Sequence, residues 1–207
     1  MNKQKIAMIF TLVLLLSIGL VSATVYDDFS GSTLDTTKWT EMAGNLDEFG
    51  LNPAHTGYYH TAQLTAADKG ILLMLDREFN AGEVLQYKTI YQSGSGNAIS
   101  RQYLDGDYLD LRIGTNYQNY PEYATTANIG YWNGDSEVGN IIGTYSTKVS
   151  FGENYVDFEI TNPNGGIWTH RINNLQAPYT YGIATKTGHN GIVHFDYDDF
   201  EVLTDVP

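Results

Sequence analysis

The chain has 207 residues, no cysteine, and 24 acidic against 11 basic side chains, for a net charge of −13. That composition excludes a disulfide framework and zinc–thiolate chemistry. Nucleic acid is excluded as an expected partner, because no Lys/Arg cluster offsets the repulsion of a phosphate backbone.

In chain order, Lys3 and Lys5 precede an apolar run, IAMIFTLVLLLSIGLV, that ends in Val-Ser-Ala at residues 21–23. A basic start, an apolar centre and small residues before the cut predict a signal peptide over 1–23, cleaved after Ala23. The mature chain, 24–207, is then secreted or held at the cell surface. A membrane is a partner only if the segment stays uncleaved and serves as an anchor. Cleavage removes two lysines and no acid, leaving 9 basic against 24 acidic residues and a net charge of −15. No Asn-X-Ser/Thr sequon occurs. The length of 24–207 suits one domain with a substantial core.

Period-2 alternation then dominates, apart from one helical turn expected near Thr36–Met42. GILLML (70–75) and LQYKTIY (85–91) are apolar enough to predict central strands covered on both faces. In YLDLRI (108–113) the leucines and isoleucine alternate with Asp110 and Arg112. In YVDFEIT (155–161), Val156, Phe158 and Ile160 are predicted inside, with Asp157 and Glu159 outside. NPNGG (162–166) separates that strand from GIWTHRI and predicts a hairpin with a loop longer than the tightest type. The predicted fold is all-β, a two-sheet antiparallel jelly-roll sandwich.

One tetrapeptide occurs near both ends, Tyr-Asp-Asp-Phe at 26–29 and again at 197–200. Tyr and Phe three apart break strict alternation, so each copy is expected to carry a bulge at its acidic pair that turns both rings inward. Two terminal strands lying side by side would meet such similar demands. Trp39 is expected to pack under the N-terminal strand.

The stretch Asp-Asp-Phe-Ser-Gly-Ser-Thr-Leu-Asp-Thr-Thr-Lys-Trp (27–39) resembles the opening of concanavalin A-like lectin/glucanase domains, and laminarinase- and lichenase-type glucanases in particular. Tyr-Asp-Asp-Phe-Glu-Val (197–202) resembles their last strand. KGILLML, the hairpin at 155–172 and GYWNG (130–134) also match comparable elements, so the resemblance spans the mature chain. The resemblance implies a catalytic strand at YWNGDSEVGNII (131–142), with Glu137 where the nucleophile stands. Gly139 then replaces the signature Asp, and Ile141 and Ile142 fill both places for the acid/base Glu. A retaining mechanism needs two carboxyl groups, so the family's own machinery is absent. The resemblance also implies a structural calcium held by a last-strand Asp with backbone carbonyls. Asp198 matches that Asp.

Sugar faces stack on aromatic rings while amides and acids read their hydroxyls. Tyr120, Tyr131, Trp132, Asn133 and Glu137 are therefore the candidate carbohydrate-binding residues. No catalytic residue is assigned; Glu137 alone fits the glucanase signature. Asp157 with Glu159, and Asp105, Asp107 and Asp110, read as solvated or turn acids, although a dyad split between Glu137 and Glu159 would suit a divergent hydrolase. The five histidines show no zinc spacing. Tyr59, His60 and Arg101 are the groups a polysaccharide lyase would use, but the acidity disfavours a polyanionic substrate. No Gly-x-Ser-x-Gly elbow occurs.

The reading is a secreted, lectin-like carbohydrate-binding module, non-catalytic, with a structural Ca2+ and a polysaccharide or glycan as partner. The alternatives are a divergent retaining glycoside hydrolase acting on a β-glucan-like polysaccharide, and a cell-surface module that self-associates.

Overall fold

The computed structural model describes residues 21–31, 33–43, 49–51, 59–61, 70–95, 97–105, 107–114, 122–124, 129–131, 143–187 and 192–205. These form two antiparallel sheets, with no helix among the described residues. The strands are β1 (Val21–Asp27), β2 (Trp39–Ala43), β3 (Phe49–Leu51), β4 (Tyr59–Thr61), β5 (Gly70–Phe79), β6 (Glu83–Ser95), β7 (Asn97–Leu104) and β8 (Asp107–Gly114). They continue with β9 (Glu122–Ala124), β10 (Ile129–Tyr131), β11 (Gly143–Phe151), β12 (Tyr155–Thr161), β13 (Ile167–Asn173), β14 (Tyr179–Thr187) and β15 (Ile192–Asp205). The first sheet runs β13-β12-β11-β6-β15-β4-β3, with β1 also on β15, and the second runs β10-β9-β8-β7-β14-β5-β2. This is the jelly-roll sandwich that the alternation predicts.

The β12–β13 hairpin shows how local chemistry sets register. Val156, Phe158 and Ile160 are buried, while Asp157 and Glu159 stay partly exposed. Between the strands, Asn162 Oδ1 accepts hydrogen bonds from the backbone N–H of Asn164 (2.9 Å) and of Gly166 (2.7 Å). Gly165 has φ +85°, a conformation that a Cβ would strain. Outside the strands, the Arg171 guanidinium grips Asp157 through two 2.6 Å contacts and lies 3.9 Å from the centre of the Tyr155 ring.

Two expectations are corrected. Residues 36–38 form a single turn, closed by Trp39 N–H bonding the Asp35 carbonyl, and β2 starts at once. An Asx-type bond from Thr37 N–H to Asp35 Oδ1 fixes the turn, and Trp39 is drawn into the core before a second turn can form. β6 is central but covered on one face only. Leu85, Tyr87, Thr89 and Tyr91 point inward, while Lys88 is exposed and Gln86 half-buried. In β5, Leu73 and Leu75 are buried and Met74 is half-buried. An antiparallel sandwich has one wet face per sheet, whatever the apolar run along a strand.

Aromatic rings bind the sheets together. Within the first sheet Phe200 stacks on Tyr87 (4.6 Å, interplanar 1°), and across the gap Phe79 stacks on Phe151 (4.5 Å, 14°). Tyr181 links the two groups, edge-on to Phe79 and bonded through its hydroxyl to that of Tyr87 at 2.9 Å. Burial raises both phenols above their ordinary range, so the pair stays neutral and hydrogen-bonded.

Candidate functional site

The two Tyr-Asp-Asp-Phe copies meet. β1 pairs antiparallel with the end of β15, and Asp27 faces Phe200 across the ladder. Both copies carry a register irregularity, between Val25 and Asp27 in β1 and between Asp198 and Glu201 where β15 runs beside β6. Asp199 sits at φ +53° inside the second irregularity, which turns Tyr197, Phe200 and Val202 all inward. In the first copy Phe29 has φ +49° and is buried.

Identical tetrapeptides nonetheless serve different ends. Asp27 is buried, and its carboxylate accepts from Trp39 Nε1 (2.6 Å) and Phe29 N–H (2.9 Å), with Lys38 Nζ at 3.8 Å. Asp27 is therefore a buried tie between the first strand and Trp39. Trp39 packs beneath β1 as expected, stacked on Phe29 (5.5 Å) and edge-on to Phe200 (5.0 Å).

Asp198, by contrast, is half-buried without such a tie. It lies opposite Lys88 in register, yet Lys88 forms its ion pair with Asp199. The Asp198 carboxyl is pushed up from 3.8 to about 6. Partial burial is the main cause; the charges of Asp199 and Asp28 add to it, while the Asp199 backbone N–H and Lys88 oppose it. Asp28 is held below the usual carboxylate range by hydrogen bonds from the Ser30 side chain and backbone. It is therefore ionised beside Asp198 at neutral pH. The folded chain binds the Asp198 proton more tightly than the unfolded chain. In chelator, its contribution to stability therefore falls as pH rises from about 4 towards 6. Asp198→Asn is expected to melt a few degrees above the wild type at pH 7 in chelator, with the gap closing at pH 4. Thermal melts across that range check it, and a lower melting temperature for the variant at pH 7 contradicts it.

Among the described residues no three of His, Asp and Glu gather into a metal-holding group. A cation at Asp198 would therefore draw most of its ligands from backbone carbonyls, as hard cations accept. Asp27 would not be one of them, since Trp39 and Phe29 take its oxygens.

Of the candidate sugar contacts, Tyr131 ends β10 on the edge of the second sheet, where its backbone pairs with Glu122 of β9. Tyr120, Trp132, Asn133 and Glu137 lie outside the described residues. Tyr120 stands two residues before the start of β9, and Trp132 one residue after the end of β10. The antiparallel pair sets those two chain ends side by side.

The wet face of the first sheet carries two adjoining shallow hollows of about 310 and 380 Å³ that share Lys148 and Glu159. Their charges are largely satisfied: Gln86 donates to Glu201 (2.8 Å), Lys88 pairs with Asp199, and Arg171 with Asp157. Glu159 stands opposite Lys148 across the strands. This matches the reading of Asp157 and Glu159 as solvated acids. Glu159 sits in the first sheet, whereas β10, which leads towards Glu137, belongs to the second. The lyase candidates also divide, with Tyr59 and His60 in β4 of the first sheet and Arg101 in β7 of the second. Asp105 is a turn clamp that alternation does not reveal; its Oδ1 accepts from Thr180 N–H (2.7 Å) and Oγ1 (2.9 Å).

No protein-family model and no curated protein matches the chain. Solved structures do. Peanut lectin superposes with a TM-score of 0.60 at 10% identity, over 91% of this chain and 99% of the lectin. The CBM2 module of the evolved Dit of Lactobacillus casei BL23 phage J-1 gives 0.61 at 11%, over 90% and 98%. A glycosyl hydrolase family 16 protein from Mycobacterium smegmatis str. MC2 155 gives 0.58 at 12%, over 88% and 98%. The fold is the jelly roll shared by lectins and glycosyl hydrolases. At such identities the likeness extends to the fold and stops short of the activity.

Proposed function

We propose that this jelly roll is a secreted carbohydrate-binding module. Its glycan would be contacted by Tyr120, Tyr131, Trp132, Asn133 and Glu137 at the β9–β10 edge. The observation that carries the reading is the β9–β10 pairing. It sets the chain end after Tyr131 beside the chain end before Glu122, and these are the two ends that lead to Trp132 and Tyr120. Those segments combine aromatic rings with amides and an acid, the groups that stack on and read a pyranose. The fold's occurrence in lectins and carbohydrate-binding modules supports the same reading.

The test is retention of the full chain on immobilised glycans. Trp132→Ala is expected to weaken retention at least ~10-fold, the scale of one lost stacking contact. Retention unchanged by Trp132→Ala and by Tyr131→Ala contradicts the site. Glu137→Gln separates binder from enzyme: a glycoside hydrolase would release reducing sugar from a β-glucan and lose that release in the variant. The absence of two of the three signature acids favours binding over hydrolysis.

A structural Ca2+ at Asp198 belongs to this reading. A raised, half-buried carboxyl with the acids Asp28 and Asp199 beside it is the charge environment a divalent cation relieves. When bound, the ion would supply positive charge to the seam between the terminal strands, with Asp198 as its side-chain ligand. Calcium should raise the melting temperature of the wild type and leave Asp198→Asn unmoved. No difference between calcium and chelator in the wild type would sink the assignment.

A further inference from the structure

Between the sheets lies a set of polar side chains that neither glycan nor cation binding uses. On the inner face of the first sheet, Thr147 of β11 pairs in register with Tyr87 of β6. In the next row Thr89 stands between Tyr145 and Tyr197. Facing them from the second sheet are Ser100 and Gln102 of β7 and Tyr181 of β14. Two hydroxyl pairs cross the gap, Tyr87 to Tyr181 at 2.9 Å and Ser100 to Tyr197 at 3.0 Å. The Tyr87 phenol also interacts with Thr147 and Gln102. The Gln102 amide nitrogen is directed at Ser100, 3.2 Å from its hydroxyl.

Gln102 and Thr147 are 0% and 1% exposed, yet Gln102 Oε1 and Thr147 Oγ1 have no hydrogen-bonding partner. Buried acceptors left unmet are costly, and in folded proteins they are met by protein or by internal water. Both side chains flank the Tyr87 phenol, whose own hydroxyl is bonded to that of Tyr181.

We propose that a water molecule is bound between the sheets. It donates to Gln102 Oε1, bonds the Thr147 hydroxyl, and sits beside the Tyr87–Tyr181 pair. Two to four polar partners are what a buried water requires. The site makes the core of this sandwich wet at one point and fixes the facing rows of the two sheets.

Thr147→Val tests the site, because the side chains have the same shape and differ by the hydroxyl alone. If water is bound there, removing one of its partners lowers the melting temperature by a few degrees. If the hydroxyl is simply unmet, replacing it with a methyl raises the melting temperature. A rise or no change overturns the proposal. Independently, a crystal structure of the unmutated chain at a resolution that orders internal water should show a density peak about 2.7–3.2 Å from both atoms. A clear map with no such peak overturns it as well, whatever the variant does.

Discussion

Trp39→Ala should destabilise the protein by about 3–5 kcal/mol, the range for deleting a fully buried large aromatic. The indole is 1% exposed and contacts Tyr26, Phe29 and Phe200, so its loss opens a cavity where β1, β2 and β15 converge. The loss has a second component. The indole N–H is a donor to Asp27 Oδ2 at 2.6 Å, and a buried carboxylate deprived of that donor keeps only Phe29 N–H and a distant lysine. Hydrogen bonds to charged groups contribute about 1.5–3 kcal/mol. Trp39→Phe, Asp27→Asn and the double variant, compared by urea unfolding, separate packing from the bond through their coupling energy. A loss below about 1 kcal/mol for Trp39→Ala would mean that the terminal seam does not close on this ring.

Phe79→Ala should cost a similar amount, about 3–5 kcal/mol, at a different aromatic cluster. Phe79 is 0% exposed, stacked on Phe151 and edge-on to Tyr181, with the Arg77 guanidinium 4.6 Å from its ring centre. Offset-stacked and edge-on aromatic pairs add about 0.5–1.5 kcal/mol beyond area burial. Phe79→Leu should therefore recover most, but not all, of the loss. Among the described residues Phe79 and Trp39 share no ring partner, so their effects are expected to add within about 0.5 kcal/mol. Thermal or urea denaturation of the single variants and of the milder Phe79→Leu/Trp39→Phe pair measures this. A strong departure from additivity would show that the clusters communicate through Phe200, Tyr87 and Tyr181.

Local pattern was enough to reach the hairpin at 155–173. Its strand faces follow from alternation, and its turn follows from Asn, Pro and Gly chemistry within five residues. The bulge at Asp198–Asp199 was also legible, since Tyr and Phe three apart cannot both face inward in a regular strand, but in the first copy the irregularity falls at Tyr26, one residue before the acidic pair. The candidate site was legible only as composition, in the aromatics, amides and acid between Tyr120 and Glu137. The structure adds the β9–β10 pairing that sets two of those segments side by side. The one-sided burial of β6 was missed, because an apolar run does not reveal whether its second face will be covered.

The sequence by itself determined that the chain folds as an antiparallel sandwich, that its ends pair, and that Gly139, Ile141 and Ile142 follow Glu137 where further acids could have stood. Those properties depend on periods of two residues and on the presence or absence of single side chains. Only the tertiary structure decided what the repeated Tyr-Asp-Asp-Phe does. Asp27 becomes a buried tie because Trp39 folds beneath it, while the Asp198 carboxyl is pushed up mainly by its partial burial, with the charges of Asp199 and Asp28 adding to it. The interior polar cluster was likewise decided by how the sheets align, since Tyr87 and Tyr181 stand 94 residues apart and meet only when they do. Burial and charge neighbourhood depend on such long-range registers, which no short stretch of sequence encodes.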